Sequence, residues 1–352
     1  MPLFMDIHVV NDDNFSVEEV ARAHTKDVAI QDKFGVKQLK YWVNVEQKTI
    51  FCLMTGPDKA SCDAVHKESH GGTACNIIAV ADDEFGNYMG KGESINDLAY
   101  TTSGIIDTGY RTLLMVNTFD FFDKNSHCLK KVYQLINTAN GTISLQPNKN
   151  IVASFTIASD AISCVNAIAN LLNDLGNAFE YSLSLVTGKP VDVNGKHLFE
   201  EAKTRLNVLN YISLGNKICI DLATSLILKK ESSLIEVDVA KLNIIQTDDF
   251  AFIEHVFSII NTQMHTSDFN LEKLNAAIGL SKSQSHKRIK AITGVAPGRL
   301  ILKLRLQESL GLIKNSTKTI AEIAYDLGFN SPTYFTRVFK KEYNVLPTSI
   351  VK

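Results

Sequence analysis

Residues 321–347 read AEIAYDLGFNSPTYFTRVFKKEYNVLP, and their spacing sets the class of the C-terminal third of the chain. Helical spacing runs over 320–327 and stops at Gly328. Ser331 then supplies an N-cap oxygen, and Pro332 takes the first helical position, where its missing N–H is not needed. The helix that follows turns Phe335, Val338 and Phe339 inward and offers Ser331, Thr333, Tyr334, Thr336, Arg337 and Lys340 outward. The same plan occurs about 50 residues earlier in NLEKLNAAIGLSKSQSHKRIKAITG (270–294). It predicts a helix over 271–278, a turn at Gly279-Leu280 and a second helix begun by Ser281, with Ile289 as core. The outward candidates there are Lys282, Gln284, Ser285, Lys287 and Arg288. GRLILKLRLQESLGLIKNS (298–316) joins the two units as one long helix.

Two helix-turn-helix units on one spacer suit double-stranded DNA. Each second helix fits a major groove, and a rigid spacer can set two of them in successive grooves. Charge agrees. From His265 to Lys352 there are ten Lys and four Arg against two Asp and four Glu, a net +8, whereas the whole chain carries −2. A basic segment on an acidic body is the footprint of a nucleic-acid-binding module. At 352 residues the chain predicts two or three domains. No apolar run approaches the roughly 20 residues of a membrane span, and the first residues lack a signal-peptide pattern. Six scattered cysteines without a CxxC pair point to reduced thiols and a cytoplasmic location.

Over about 265–350 the segment resembles the AraC-type regulator domain, on AAIGLSKSQSHKRIKAITGVAPGRLILKLRLQES and TIAEIAYDLGFNSPTYFTRVFKKEYNVLP. The resemblance implies sequence-specific DNA binding, with the rest of the chain sensing a signal or dimerising. Ser285 departs from the pattern, since a large apolar residue is more usual there.

Residues 1–81 read β-α-β-β-α-β, the order of a ferredoxin-like fold: PLFMDIHVV alternates as a strand, two helices end at Gly35 and Gly71, and TACNIIAVA closes the unit. ADDEFGNYMGKGESIND (81–97) reads as a polar linker. His66 and His70 form an i,i+4 pair that can face one metal ion. Asp6 and His8 share a face of the first strand, His24 and Asp27 share a helix face, and Cys52 sits in the third strand. Nitrogen, oxygen and sulfur donors of this kind suit nickel, zinc or another borderline transition metal. The unit resembles a family of small ferredoxin-like proteins known for nickel binding. That resemblance implies Tyr41 and Trp42 as pattern positions, a candidate ligand set of His24, Asp27, Cys52, His66 and His70, and dimers formed through the sheet face.

Residues 108–230 read as a second α+β unit. Its parts are a strand in RTLLMVNTF, a helix, a hairpin, a long helix in ASDAISCVNAIANLLNDLG, a strand pair in EYSLSLVTGKPVDVNG, a helix and a closing strand NKICID. RTLLMVNTF, QPNKNIVASF and FEEAKTRLNVLNY resemble the class III nucleotidyl cyclase domain. Two-metal chemistry needs carboxylates, and the matching positions hold Asn117 and Lys149, with Glu201 where the family's ribose-orienting asparagine stands; Arg205 is retained. No nucleotide turnover is expected. The expectation is an α+β chain of three domains: ferredoxin-like (1–81), cyclase-like (108–230) and all-α double helix-turn-helix (250–352). It acts as a homodimeric transcription regulator answering to a metal or small ligand, not as an enzyme and not at a membrane. The alternative is a nucleotide-handling enzyme with a DNA-localising tail.

Overall fold

The computed structural model describes all residues except 91, 123–125, 146–149, 177–178, 214–216, 232–241 and 351–352. Two mixed β-sheets and a C-terminal all-helical region make up the chain. In the N-terminal unit, β1 (Leu3–Val9) is followed by α1 (Val17–Ile30), β2 (Lys37–Asn44), β3 (Thr49–Thr55), α2 (Lys59–His70) and β4 (Asn76–Val80). The caps are local: Ser16 accepts from Glu19 N at the start of α1, and Asp58 accepts from Ser61 N at the start of α2. The strand order is β4-β1-β3-β2 with antiparallel neighbours, the split β-α-β arrangement the strand and helix periods predict.

Alternation divides this sheet into two apolar faces. Phe4, Cys52, Met54 and Ile77 lie beneath α1 and α2 with Val20 and Val65. Met5, Ile7, Trp42, Phe51 and Ile78 lie on the other face and pack against the middle unit, in one core with Leu113, Met115, Phe199 and Leu206. The expected dimer through this face is therefore corrected: the chain's own middle unit covers it.

The stretch read as a linker is structured. It forms α3 (Asp82–Met89) and a hairpin, β5 (Glu93–Ile95) and β6 (Leu98–Tyr100), that extends the sheet beside β2. Asn96 and Asp97 make the turn at φ +49° and +66°, the pair of left-handed residues a two-residue hairpin needs.

The second sheet has the order β12-β11-β10-β7-β9-β8. Its strands are β7 (Arg111–Asp120), β8 (Thr142–Leu145), β9 (Ile151–Phe155), β10 (Phe179–Gly188), β11 (Ile218–Asp221) and β12 (Leu242–Ile245). The helices are α4 (Ser126–Thr138), α5 (Ala158–Asn173), α6 (Glu200–Ile212) and α7 (Leu222–Glu231). Helices α4, α5 and α7 cover one face; α6 and the first sheet cover the other. EYSLSLVTGKPVDVNG forms a single strand, β10, rather than a pair. Beyond Gly188 the backbone is spent on the neighbouring unit, with Asn76 Nδ2 donating to the carbonyls of Asp192 and Gly195 at 2.7 Å each. Nor does NKICID close the sheet, because β12 adds beyond it in parallel. Cys128, Cys164 and Cys219 are buried as expected.

Helices α8 (Thr247–Gln263), α9 (Leu271–Ala277), α10 (Lys282–Thr293), α11 (Pro297–Asn315), α12 (Ile320–Asp326) and α13 (Pro332–Tyr343) complete the chain. Helix α8 and the second helix-turn-helix unit rest on the middle unit. Tyr211 of α6 meets Phe257 of α8 at 5.0 Å between ring centroids, and Phe121, just after β7, meets Tyr343 of α13 at 5.4 Å. Among the described residues no helix is long and apolar enough to cross a membrane.

Candidate metal centre and nucleic-acid interface

Between the first sheet and its two helices lies a buried polar cluster. The alternation that turns Met5 and Ile7 toward the middle unit turns Asp6 and His8 toward α2. Asp6 Oδ1 accepts the Cys52 backbone N–H at 2.9 Å, and its Oδ2 lies 3.0 Å from His66 Nε2 and 3.2 Å from His8 Nε2. His66 Nδ1 faces Asp27 Oδ2 at 3.0 Å. Asp27 Oδ1 in turn accepts from Ser69 Oγ and lies 3.3 Å from His70 Nε2.

Electrostatics fix the protonation of this chain of groups. Burial works to lower the His66 pKa, but the flanking Asp27 and Asp6 carboxylates override it and raise it to about 10. Burial works to raise both carboxyls, and the imidazoles hold Asp6 and Asp27 well below the ordinary range. The thiol of Cys52 is pushed far up by burial and by the two carboxylates beside it. His66 is thus an imidazolium that donates to a carboxylate on each side.

Ligand atoms of Asp6, His8, Cys52 and His66 lie within 4.8 Å of one another, as do those of Asp27, His66 and His70. The donor set of the first group, two imidazoles, a carboxylate and a thiol, fits a borderline transition metal. Asp6, His8, Cys52 and His66 would hold such an ion, and His66 Nε2 and the Cys52 thiol would have to give up their protons to bind it. His66 Nδ1–H would keep Asp27 as its acceptor, and a carboxylate placed in this way would fix the ligand's tautomer and orientation.

Of the five candidate ligands, the structure places Cys52 with His66 in one group and Asp27 and His70 with His66 in the other, and leaves His24 apart. His24 Nε2 is bonded to Asp97 Oδ2 at 3.0 Å, its ring lies on Tyr41 at 4.4 Å, and its Nδ1 is buried without a partner among the described residues. Asp97 belongs to the hairpin mistaken for a linker; the Asn-Asp turn signal was the clue to it. Trp42 points the other way, donating from Nε1 to Asp107 at 3.2 Å.

At the other end of the molecule the outward helix faces are largely as expected. Lys282, Lys287, Arg288, Thr333, Tyr334, Arg337 and Lys340 are exposed, and Thr336 and Ser331 are half-buried. The Arg288 guanidinium carbon lies over the Phe252 ring, 3.8 Å from its centroid, and that of Arg337 is 5.3 Å from the centroid of Tyr334. Two candidates are spent on capping: Ser331 Oγ accepts from Tyr334 N, and the Gln284 side chain closes a capping box with Ser281. Ser285 is corrected outright. It shares the inner face of α10 with Ile289 and Ile292, is fully buried, and its hydroxyl has no partner among the described residues. Gly328, at φ +75°, makes the second turn; a Cβ there would sit 2.6 Å from the Met264 carbonyl.

A helix-turn-helix domain model matches residues 274–352. The C-terminal segment is a helix-turn-helix domain. A model described as "Nickel responsive protein SCO4226-like" matches residues 4–80. The chain is similar to the transcriptional activator RhaS of Mannheimia succiniciproducens, 36% identical over 83 residues, 24% of this chain and 31% of that one. It is also similar to the transcriptional regulator MtrA of Neisseria gonorrhoeae, 34% identical over 80 residues, 23% of this chain and 27% of that one. The chain therefore spans under a third of either relative. Among solved structures, SCO4226 from Streptomyces coelicolor A3(2) is 28% identical, covering 22% of this chain and 94% of its own at a TM-score of 0.21. The C-terminal domain of the response regulator yesN from Fusobacterium nucleatum is 25% identical, covering 29% and 99% at a TM-score of 0.28.

In the middle unit Arg205 donates from Nη1 to the buried Asp221 at 2.6 Å and from Nη2 to the Thr187 carbonyl. It is a structural ion pair there. Asn117 is half-buried, and Lys149 lies outside the described residues.

Proposed function

We propose that the chain is a sequence-specific DNA-binding transcription regulator whose SCO4226-like unit answers to a nickel-like transition-metal ion. One observation carries the DNA reading: two capped helix-turn-helix units on one long helix, with Lys282, Lys287 and Arg288 exposed on α10 and Thr333, Tyr334, Arg337 and Lys340 on α13. The names of RhaS and MtrA support it, as does the charge of the segment. The middle unit serves as the body that joins sensor to reader, and its Arg205 is engaged by Asp221 rather than left for a phosphate.

The test is selection of duplexes from a random pool by the full-length chain, followed by fluorescence anisotropy on the winner. Arg337→Ala is expected to weaken the selected duplex by about 1–3 kcal/mol, and affinity should fall steeply with salt. An unchanged affinity and base preference in that variant would show that α13 does not read the groove.

For the metal, calorimetric titration with Ni²⁺, Zn²⁺, Co²⁺ and Cu²⁺ should give tight binding of one ion, lost in His66→Ala. Equal binding by that variant would place the ion elsewhere.

A further inference from the structure

Where the two helix-turn-helix units face each other across α11, they leave a groove of about 420 Å³. That volume lies in the range of small-ligand sites. One stripe of α11, Ile301, Leu302 and Arg305, forms its floor; Phe269 of the first unit and Phe329 and Tyr334 of the second form its walls. The lining is mostly apolar, yet it holds a guanidinium. Arg305 uses Nε on the Met264 carbonyl at 2.8 Å and Nη2 on the carbonyls of Thr266 and Phe269. These contacts order the guanidinium without neutralising it, since no described carboxylate lies within ion-pair reach of it. Burial alone disfavours its charge, with no offsetting anion. The combination of an ordered, uncompensated cation and an aromatic and aliphatic wall matches one ligand chemistry: an anionic head on an apolar body.

We propose that this groove binds a small organic carboxylate with an aliphatic or aromatic body, its head on Arg305 and its body against Phe269, Leu302 and Phe329. A bare phosphate, including a backbone phosphate of DNA, satisfies the cation but leaves the apolar walls uncovered, which is why the organic anion is the favoured occupant. Because the walls belong to different units, an occupant spans the two readers and sets the angle between them. This consequence, unlike the binding itself, rests on the DNA reading above.

The experiment uses decanoate as the probe and the full-length chain. Calorimetry should show saturable binding of one decanoate, weakened about tenfold or more by Arg305→Gln and by Leu302→Trp, which fills the groove from its half-buried floor. Thermal melts identify a variant that has failed to fold, and Leu302→Trp decides the matter if Arg305→Gln is one. Absence of saturable binding, or binding unaffected by Leu302→Trp, overturns the site. Inorganic phosphate binding as tightly as decanoate also overturns it, in favour of a phosphate seat for DNA. A chain that binds decanoate but no duplex counts against the regulator reading alone, and one that binds duplex but no decanoate counts against this site alone.

Discussion

Ser285 shows how one residue can be misread from a helix face. Its neighbours Gln284 and Lys287 are exposed, but its own direction along α10 is that of Ile289, four residues on, and it points into the core. A buried hydroxyl without a partner costs about 1–3 kcal/mol. Ser285→Ala is therefore expected to raise the stability of the chain by about 1 kcal/mol, read as a higher denaturant midpoint at unchanged slope. A lower midpoint would mean that the hydroxyl has a partner in solution. The sequence held a hint, since this position usually carries a large apolar side chain. His24 is the opposite case: its spacing with Asp27 on α1 was legible, but the carboxylate that captures it comes from Asp97, in a segment with no visible reason to approach.

Among the elements, the β5–β6 hairpin carries the largest difference between expectation and structure. It has three residues in each strand and exposed residues throughout β5, so its composition is that of a loop. It is held to the sheet by the Tyr41 N–H donating to the Asp97 carbonyl at 2.9 Å, by the Asp97 carboxylate meeting His24, by Lys40 Nζ donating to the Gly92 carbonyl, and by the buried Leu98 and Ala99. Asp97→Ala removes the second contact and keeps the first. Amide exchange across 93–100 should then quicken while α1 and β3 stay protected. Unchanged exchange would mean that the other contacts secure the hairpin without it. By contrast, α10, α12 and α13 were legible to within a residue or two, because the N-cap residues Ser281, Thr319 and Ser331 and the terminating Gly294 act within a single turn.

For the molecule as a whole, the junction of the two sheets is the feature that joins the N-terminal unit to the middle unit. At its centre Asp107 accepts both guanidinium nitrogens of the buried Arg111, at 2.8 and 2.7 Å, together with Trp42 Nε1 from the first sheet. Arg111 completes the junction by donating to the Met89 carbonyl of α3. Burial works to raise the Asp107 carboxyl, and Arg111 outweighs it, so its folded pKa lies below the ordinary 3.8. A depressed carboxyl contributes stability that is complete above the unfolded value and is lost as pH falls through the folded one. Asp107→Asn should cost about 3–5 kcal/mol at neutral pH by stranding a buried guanidinium. It should also flatten the acid limb of the stability profile below about pH 4, measured by urea unfolding across pH. A variant as stable as the parent, with the same acid limb, would show that the pair does not hold the junction.

The amino-acid sequence by itself determined the local elements: the strand periods of the first sheet, the two helix-turn-helix units, their caps, the basic balance of the C-terminal segment and the i,i+4 histidines of α2. Each of these is a short-range property, set by alternation, by helical repeat or by a cap acting over three residues. Only the tertiary structure decided which donors converge. Asp6 reaches His66 across 60 residues of chain and His24 is drawn away by Asp97, while the face of the first sheet is closed by the middle unit rather than by a second copy. Such meetings depend on how whole elements stack, and stacking is set by the summed burial of many side chains. No single spacing along the chain reports it.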